Sequence, residues 1–158
     1  MFERILVPLD GSRVGEAAIP VIKQLLTRRA SGTKVDIYLL AVITLLRHWV
    51  VVGEASAPVS YTEEELALIK DKVKNYIDKT SESITGSGVT IHNMVTTGNA
   101  AEEILKAAGE INADLIAMST HGRSGLRRMA FGSITDKVLR GASIPVLMVR
   151  APEGTANT

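Results

Sequence analysis

The chain has 158 residues, of which 46% are hydrophobic and 22% are charged, as in a single folded domain with a sizeable core. Its 18 basic and 17 acidic side chains give a formal net charge of +1, which excludes a global electrostatic attraction to nucleic acid or membranes. It contains no cysteine, and this excludes disulfides, thiolate nucleophiles and cysteine-ligated zinc sites.

Short apolar segments alternate along the chain with segments whose apolar residues recur at helical spacing. In chain order we predict the strand Arg4 to Leu9, a helix from Ser12 to Gly32, the strand Lys34 to Ile43, a helix from Thr62 to Gly86, the strand Val89 to Thr97, a helix beginning at Asn99, the strand Ala113 to Met118, a helix from Ser133 to Arg140, and the strand Ile144 to Arg150. The connection from Thr44 to about Tyr61 receives no element, and its Trp49 is interpreted as a lid over a site, a partner surface or a buried side chain.

Two helix starts carry local chemical signals. Thr62 and Glu65 predict a capping box, because each side chain can accept a hydrogen bond from the backbone amide of the other residue. Asn99 is a residue type that favours the N-cap position.

Five strands alternating with four helices predict parallel βαβ units with right-handed crossovers. The expected fold is a single open, mostly parallel five-stranded α/β sheet with helices on both faces, which is a Rossmann-like architecture. Neither an internal repeat nor a linker divides the chain. We therefore expect one domain over residues 1–150 and a flexible tail over residues 151–158.

Ligands of such sheets bind outside the carboxyl ends of the strands, where the strand order reverses. This rule selects Pro8 to Ser12, Val42 to Thr44 and Ser119 to Gly125, together with Gly132-Ser133 at the start of the last helix. Glycine permits a close approach of the backbone, and a helix N-terminus attracts phosphate through its unpaired amides, with Ser133 as the predicted N-cap. Alone, Gly132-Ser133 is an ordinary helix start and Gly122 a strand-end turn. Their pairing predicts a cradle for a di- or triphosphate.

The chain resembles the nucleotide-binding branch of the universal stress protein family, which carries a G-x2-G-x9-G-[S/T] pattern in this region. Here the pattern is Ser119-Thr120-His121-Gly122, nine further residues, and Gly132-Ser133, so that Ser119 takes the place of the first glycine. A serine is small enough to keep the cleft open. The segments RILVPLDGS, YLLAVI, TGNAAEEIL, ADLIAMSTHGRSGL and PVLMVR extend the resemblance over nearly the whole chain.

The resemblance implies an adenine nucleotide α-hydrolase-like fold and a site for ATP, or for AMP, ADP or cyclic AMP, with Mg as an accompanying ion. The implied binding residues are Pro8, Asp10, the backbone of Val42 and Gly98 along the adenosine end, Met118 and Ser119 near the ribose, and Gly122, Arg123, Gly132, Ser133, Ile134 and Thr135 around the phosphates.

Asp10 and the basic residues leave alternatives open. The Asp10 carboxylate can simply cap the first helix, or it can meet ribose hydroxyls, the adenine amino group or a divalent cation. Arg123 is a candidate phosphate contact, whereas Arg127 and Arg128 fit an exposed basic loop. His121 has no recognisable catalytic partner, and the spacing of the histidines is not that of metal ligands.

The sequence lacks the signatures of efficient nucleotide chemistry. It has no P-loop, no G-x-G-x-x-G after the first strand, no H-E-x-x-H and no G-x-S-x-G. The Ser-Gly-Gly and His-x-Gly-His signatures of the related nucleotide α-hydrolases are also absent. We therefore expect a stress-response sensor or switch that binds a nucleotide and supplies no catalytic residues. The alternatives are a slow ATPase or nucleotide-processing enzyme, with at most weak ATP hydrolysis, and a chaperone-like interaction module with an empty cleft.

The last strand suggests a partner. Its segment IPVLMVR, Ile144 to Arg150, would form an apolar sheet edge, which predicts a homodimer, and the resemblance implies antiparallel pairing through this strand. The N-terminus lacks the pattern of a signal peptide, and no apolar stretch reaches the roughly 18 residues of a membrane span. We expect a soluble cytoplasmic protein without nucleic-acid or membrane partners.

Overall fold

The computed structural model describes residues 2–30, 32–45, 48–52, 55–59, 61–120 and 132–152, and for 48–52 and 55–59 the description covers the backbone. Its elements are, in chain order, strand β1 (Arg4–Leu9), a turn of 3-10 helix (Gly15–Ala17), helix α1 (Ala18–Thr27), β2 (Val35–Ile43), β3 (His48–Val52), β4 (Ala55–Val59), α2 (Glu63–Glu82), β5 (Val89–Thr97), α3 (Ala100–Glu110), β6 (Leu115–Thr120), α4 (Ser133–Gly141) and β7 (Val146–Arg150).

Five of these strands form one parallel sheet in the order β5-β2-β1-β6-β7. The chain first moves outward from β1 to β2 and β5, and then crosses back to β6 and β7 on the other side. The strand order therefore reverses between β1 and β6. The predicted fold class, an open five-stranded parallel α/β sheet, is confirmed.

Helices cover both faces of the sheet, and this explains the nearly continuous apolar run of β2. Leu39 packs in the cluster with Ile77 of α2, while the next residue, Leu40, packs in the opposite cluster with Val138 of α4. Both leucines are at most 1% exposed. Because successive strand residues point to opposite faces, only a strand buried on both sides requires two large apolar neighbours in this way.

The helix caps predicted at Thr62 and Asn99 are present. The Thr62 hydroxyl accepts a hydrogen bond from the Glu65 amide (3.1 Å), and the Thr62 amide donates to the Glu65 carboxylate (2.8 Å). The Asn99 side-chain oxygen accepts from the amides of Ala101 (3.2 Å) and Glu102 (3.4 Å). No helix in the described part of the chain is both long and apolar enough to cross a membrane.

The connection after β2 differs from the prediction, because it contains the antiparallel hairpin β3–β4. Trp49 belongs to β3, and its side chain lies outside the described residues. The β-branched residues Val50 to Val52 favour a strand. The prediction missed it because it relied on longer apolar segments than this five-residue strand provides. At the other end of the chain, Ala151 is buried and its amide donates to the Thr120 carbonyl oxygen (3.0 Å), so the packed structure extends beyond β7.

Candidate functional site

A cavity of about 360 Å³ opens at the carboxyl edge of the sheet, beside the reversal of strand order between β1 and β6. Its described walls come from the ends of β1, β2 and β6, the 3-10 turn, and the first turns of α3 and α4. Among these described lining residues, Asp10 is the one with an ionisable side chain. The cavity is therefore a mainly apolar cleft with a few polar groups, as is usual for small-molecule sites.

Nine of the twelve binding residues implied by the sequence lie in this wall. They are Pro8, Asp10, Val42, Met118, Ser119, Gly132, Ser133, Ile134 and Thr135. Gly98 is not a wall residue. Its carbonyl oxygen accepts a hydrogen bond (3.1 Å) from the hydroxyl of Thr44, and Thr44 does line the cavity. The predicted residues outside the described part of the chain are His121, Gly122, Arg123, Arg127 and Arg128. The convergence of Gly122 with Ser133 thus stays a prediction.

Five wall residues belong neither to the selected stretches nor to the implied binding residues: Val14, Gly15, Leu40, Ala100 and Ile104. They are apolar or small, and residues of the same types fill the core, so that no chemical signal distinguishes them. A geometric signal was present for Ala100. It follows the predicted N-cap Asn99 at the carboxyl end of a strand, and the first turn of such a helix must lie at this edge of the sheet.

The Asp10 loop is held together by its own side chains. Asp10 Oδ1 accepts hydrogen bonds from the Ser12 amide (2.9 Å) and the Ser12 hydroxyl (2.6 Å). Gly11 between them has φ +79°, a conformation that glycine adopts without strain. Both Asp10 bonds go to Ser12, and neither goes to an amide of the 3-10 turn or of α1, so the alternative in which Asp10 caps the first helix is wrong. Its carboxylate instead closes a turn at the mouth of the cavity.

Ser119 lies at the carboxyl end of β6 and faces the 3-10 turn. Its hydroxyl donates a hydrogen bond to the Gly15 carbonyl oxygen (3.0 Å). The hydroxyl of the residue that replaces the first glycine of the sequence pattern is therefore bonded within the protein, and Ser119 still forms part of the cavity wall.

The N-terminus of α4 forms a further part of the cavity wall. The first backbone bond of the helix runs from the Asp136 amide to the Gly132 carbonyl oxygen (2.9 Å), so the amides of Ser133, Ile134 and Thr135 precede the helical ladder. The prediction that Ser133 is the N-cap is wrong. Gly132 holds that position with extended backbone, and Ser133 is the first helical residue, where its side chain cannot reach back to cap.

Thr135 adds a side-chain donor to these amides. It is only 6% exposed, and its hydroxyl makes no hydrogen bond to any other residue that the structure describes. Since Thr135 is part of the cavity wall, this hydroxyl is available to donate a hydrogen bond to a guest. Together the helix end and this hydroxyl favour an anion.

Comparison with known proteins identifies relatives of similar length. Universal stress proteins MJ0531 and MJ0577 of Methanocaldococcus jannaschii are each 28% identical to this chain; the alignments cover 97% and 95% of this chain, and 85% and 96% of the two relatives. A solved structure of the hypothetical protein MJ0577 superposes with a TM-score of 0.71 at 23% identity, covering 98% of this chain and 99% of that one.

Two further solved structures share the fold and are described with ligands. One is a universal stress protein in complex with cAMP, with a TM-score of 0.60 at 18% identity and coverage of 96% and 98% of the two chains. The other is a universal stress protein family protein from Arabidopsis thaliana with AMP bound, with a TM-score of 0.59 at 14% identity and coverage of 96% and 93%. The sequence model of the universal stress protein family matches residues 1–150, and the chain therefore belongs to the universal stress protein family.

Proposed function

We propose that this universal stress protein binds an adenine nucleotide in the cavity and acts as a nucleotide-dependent switch in a stress response. The observation that carries the proposal is that one cavity is lined both by the N-terminus of α4 and by Asp10. The amides of α4 and the unpartnered Thr135 hydroxyl suit phosphate, while Asp10 and the end of β2 suit an adenosine. A cavity of about 360 Å³ is within the usual range for a ligand of this size.

The proposed contacts follow the lining. Phosphate oxygens would accept from the amides of Ser133 to Thr135, with Gly122 and Arg123 as further proposed partners. The adenosine would lie against Val42, Met118 and Asp10. The remaining proposed site residues are Pro8, Gly98, Ser119 and Gly132. We propose ATP as the ligand, with ADP, AMP and cyclic AMP as the alternatives.

A metal ion would depend on the nucleotide. No group of three metal-ligating side chains occurs among the described residues, and Asp10 is the single carboxylate in the described wall. A Mg²⁺ ion would therefore be held mainly by the phosphates of a bound ATP, where it would neutralise their charge. The compounds in the two solved relatives are cAMP and AMP. They support recognition of the adenine base more directly than they support a preference for a triphosphate.

Isothermal titration calorimetry with ATP, ADP, AMP and cyclic AMP tests the proposal. We expect binding of at least one, and a Thr135→Val variant should weaken it roughly 10- to 100-fold, as expected for a hydrogen bond to a charged acceptor. Thr90→Val, an exposed threonine of β5, is the matched control and should bind as the wild type does. Absence of binding by the wild-type protein at millimolar concentrations of all four compounds would refute the proposal.

Phosphate release measured beside affinity separates a switch from a slow ATPase. We expect turnover to be weak at most, because Asp10 is the sole described ionisable group in the wall and is proposed to contact the adenosine, not the phosphates. Loss of turnover in Asp10→Ala with affinity retained would instead favour an enzyme.

We also propose that residues 1–150 act as one domain, with residues 151–158 as its tail, in a cytoplasmic homodimer paired through β7. This strand is at the end of the sheet order, and its residues Val146 to Val149 are only partly buried. An apolar edge strand of this kind can pair with its copy in a second protein.

A further inference from the structure

We propose that Ser119 is a positioning residue, which acts through Gly15 and Ser12 to fix the Asp10 carboxylate for recognition of the adenosine end. The inference rests on the proposed function, because it concerns the same cavity. It assigns Ser119 a role within the protein that differs from direct contact with the ligand.

Three hydrogen-bonded steps connect the two residues. Ser119 Oγ donates to the Gly15 carbonyl oxygen (3.0 Å), and the Gly15 amide donates to Ser12 Oγ (2.9 Å). The hydroxyl proton of Ser12 is then donated to Asp10 Oδ1 (2.6 Å), which also accepts the Ser12 amide (2.9 Å). The series links the end of β6 to the end of β1, the two strands between which the sheet order reverses.

This arrangement leaves one carboxylate oxygen for a ligand. Both bonds to the Asp10 side chain use Oδ1, and Oδ2 has no hydrogen bond to a residue that the structure describes. Asp10 itself is exposed at the cavity mouth, where a free carboxylate would otherwise rotate among several rotamers. Fixing Oδ1 therefore orients Oδ2 before the ligand arrives, and preorganisation of this kind raises affinity and selectivity.

Steric contact at Gly15 supports the same restraint. A Cβ atom built on Gly15 would collide with Asp10 Oδ1. The carboxylate is thus packed against the backbone at Gly15 as well as bonded to Ser12. The Ser119 hydroxyl restrains this backbone through its hydrogen bond to the Gly15 carbonyl oxygen. A glycine at position 119, as in the family pattern, would have no hydroxyl and could not form this bond.

The test compares selectivity, since a general structural role would change affinity for every nucleotide equally. Calorimetry on the full chain would measure affinities for ATP, for 2′-deoxy-ATP, which lacks a ribose hydroxyl, and for ITP, which lacks the adenine amino group. The wild type should bind ATP more tightly than at least one of the two analogues, 2′-deoxy-ATP and ITP. Asp10→Ala should abolish that difference in affinity. Ser119→Ala and Ser12→Ala should each reduce it roughly fivefold, the effect of about one neutral hydrogen bond.

Two comparisons complete the design. Thr135→Val, in the first turn of α4 at the proposed phosphate contacts, should weaken binding of all three nucleotides and leave their affinity ratios unchanged. The double variant Ser119→Ala/Asp10→Ala should be no less selective than Asp10→Ala alone, because both changes act on one carboxylate.

The outcomes separate the two proposals. If the wild type binds no nucleotide, the proposed function fails and the positioning role fails with it. If the wild type binds but Ser119→Ala keeps the wild-type ratios, or if the wild type binds both analogues as tightly as ATP, the positioning role is wrong while nucleotide binding stands.

Discussion

The Ser119 hydroxyl and the Gly15 carbonyl oxygen are 3.0 Å apart in space and 104 residues apart in the sequence. Their hydrogen bond joins the carboxyl end of β6 to the 3-10 turn that follows β1. Because the carboxyl ends of both strands and the 3-10 turn line the cavity, the bond fixes the relative position of its walls. Small changes at either residue should therefore affect the ligand more than they affect the core.

Gly15→Ala changes the residue that accepts the Ser119 hydrogen bond, and so tests whether a change at this bond affects ligand binding. The added methyl group would collide with Asp10 Oδ1, the end of an exposed side chain that can move aside at the expense of its bonds to Ser12, so we expect a loss of at most about 1 kcal/mol in the free energy of unfolding. The displaced carboxylate should also lose its discrimination among nucleotides. Denaturant unfolding and calorimetry measure the two effects.

Gly109→Ala in α3 is the matched control, because a Cβ there meets no atom within 4 Å. Alanine should stabilise this helix by about 0.5–1 kcal/mol and leave binding unchanged. Equal effects of the two substitutions would show that Gly15 has no special contact with Asp10.

Local chemistry determined which parts of the fold could be predicted. The strands Arg4–Leu9 and Val89–Thr97 have the predicted bounds, because an abrupt change from apolar residues to turn residues marks their ends. The Thr62 and Asn99 caps were predicted because a cap involves residues two or three positions apart. The boundaries of β6 were predicted two residues early, since Ala113 and Asp114 are as compatible with a strand as Ser119 and Thr120.

The candidate site was only partly predictable for a different reason. Its polar parts, Asp10 and the start of α4, carry glycine and hydroxyl signals at strand and helix ends. Its apolar wall, including Leu40 and Ile104, consists of residue types shared with the core. The bond between Ser119 and Gly15 had no signal at all, because nothing in either residue specifies a partner 104 positions away.

Val146→Pro tests the proposed dimer without breaking the sheet. Pro145 and Ala151 bond to β6 through their backbone groups, and alternate residues of a strand bond to the same side, so the Val146 amide faces the open edge. Proline there removes only an edge donor. Sedimentation should show a shift from dimer to monomer with unchanged circular dichroism.

Val95→Pro at the opposite edge provides the control. Gly88 and Gly98 bond to β2, which by the same alternation leaves the Val95 amide on the open edge of β5. This variant should remain dimeric. A dimer that survives Val146→Pro, or one that dissociates in both variants, would contradict pairing through β7.

Thr62→Ala removes the side-chain half of the capping box at α2. Loss of the bond to the Glu65 amide should lower the free energy of unfolding by about 1 kcal/mol, the usual effect of an N-cap. Ser83→Ala at the other end of α2 is the control, because the Ser83 backbone makes the terminal bonds. Urea unfolding of Thr62→Ala should show a lower midpoint than the wild type, with an unchanged dependence of the free energy on urea concentration. An equal shift of the midpoint in Thr62→Ala and Ser83→Ala would argue against a specific cap at Thr62.

Tyr76 should make stability depend on pH in the alkaline range. Burial raises the pKa of Tyr76 above its ordinary value of about 10, and the nearby Glu16 carboxylate raises it further, although no hydrogen bond to the Tyr76 hydroxyl is formed within the described structure. Below pH 10 the hydroxyl is protonated in both the folded and the unfolded chain, so it contributes no pH dependence there. Above about pH 10 the unfolded chain ionises first, and stability should fall as the pH rises.

Tyr76→Phe isolates this contribution. At pH 8 the variant should be as stable as the wild type or slightly more so, because the substitution removes a buried hydroxyl that lacks a partner. Between pH 9.5 and 11 the wild type should lose stability faster than the variant, in urea titrations followed by circular dichroism. Other titrating groups contribute equally to both proteins, and the difference between the two curves therefore reports Tyr76 alone. Parallel curves over this range would contradict a raised pKa of Tyr76 in the folded protein.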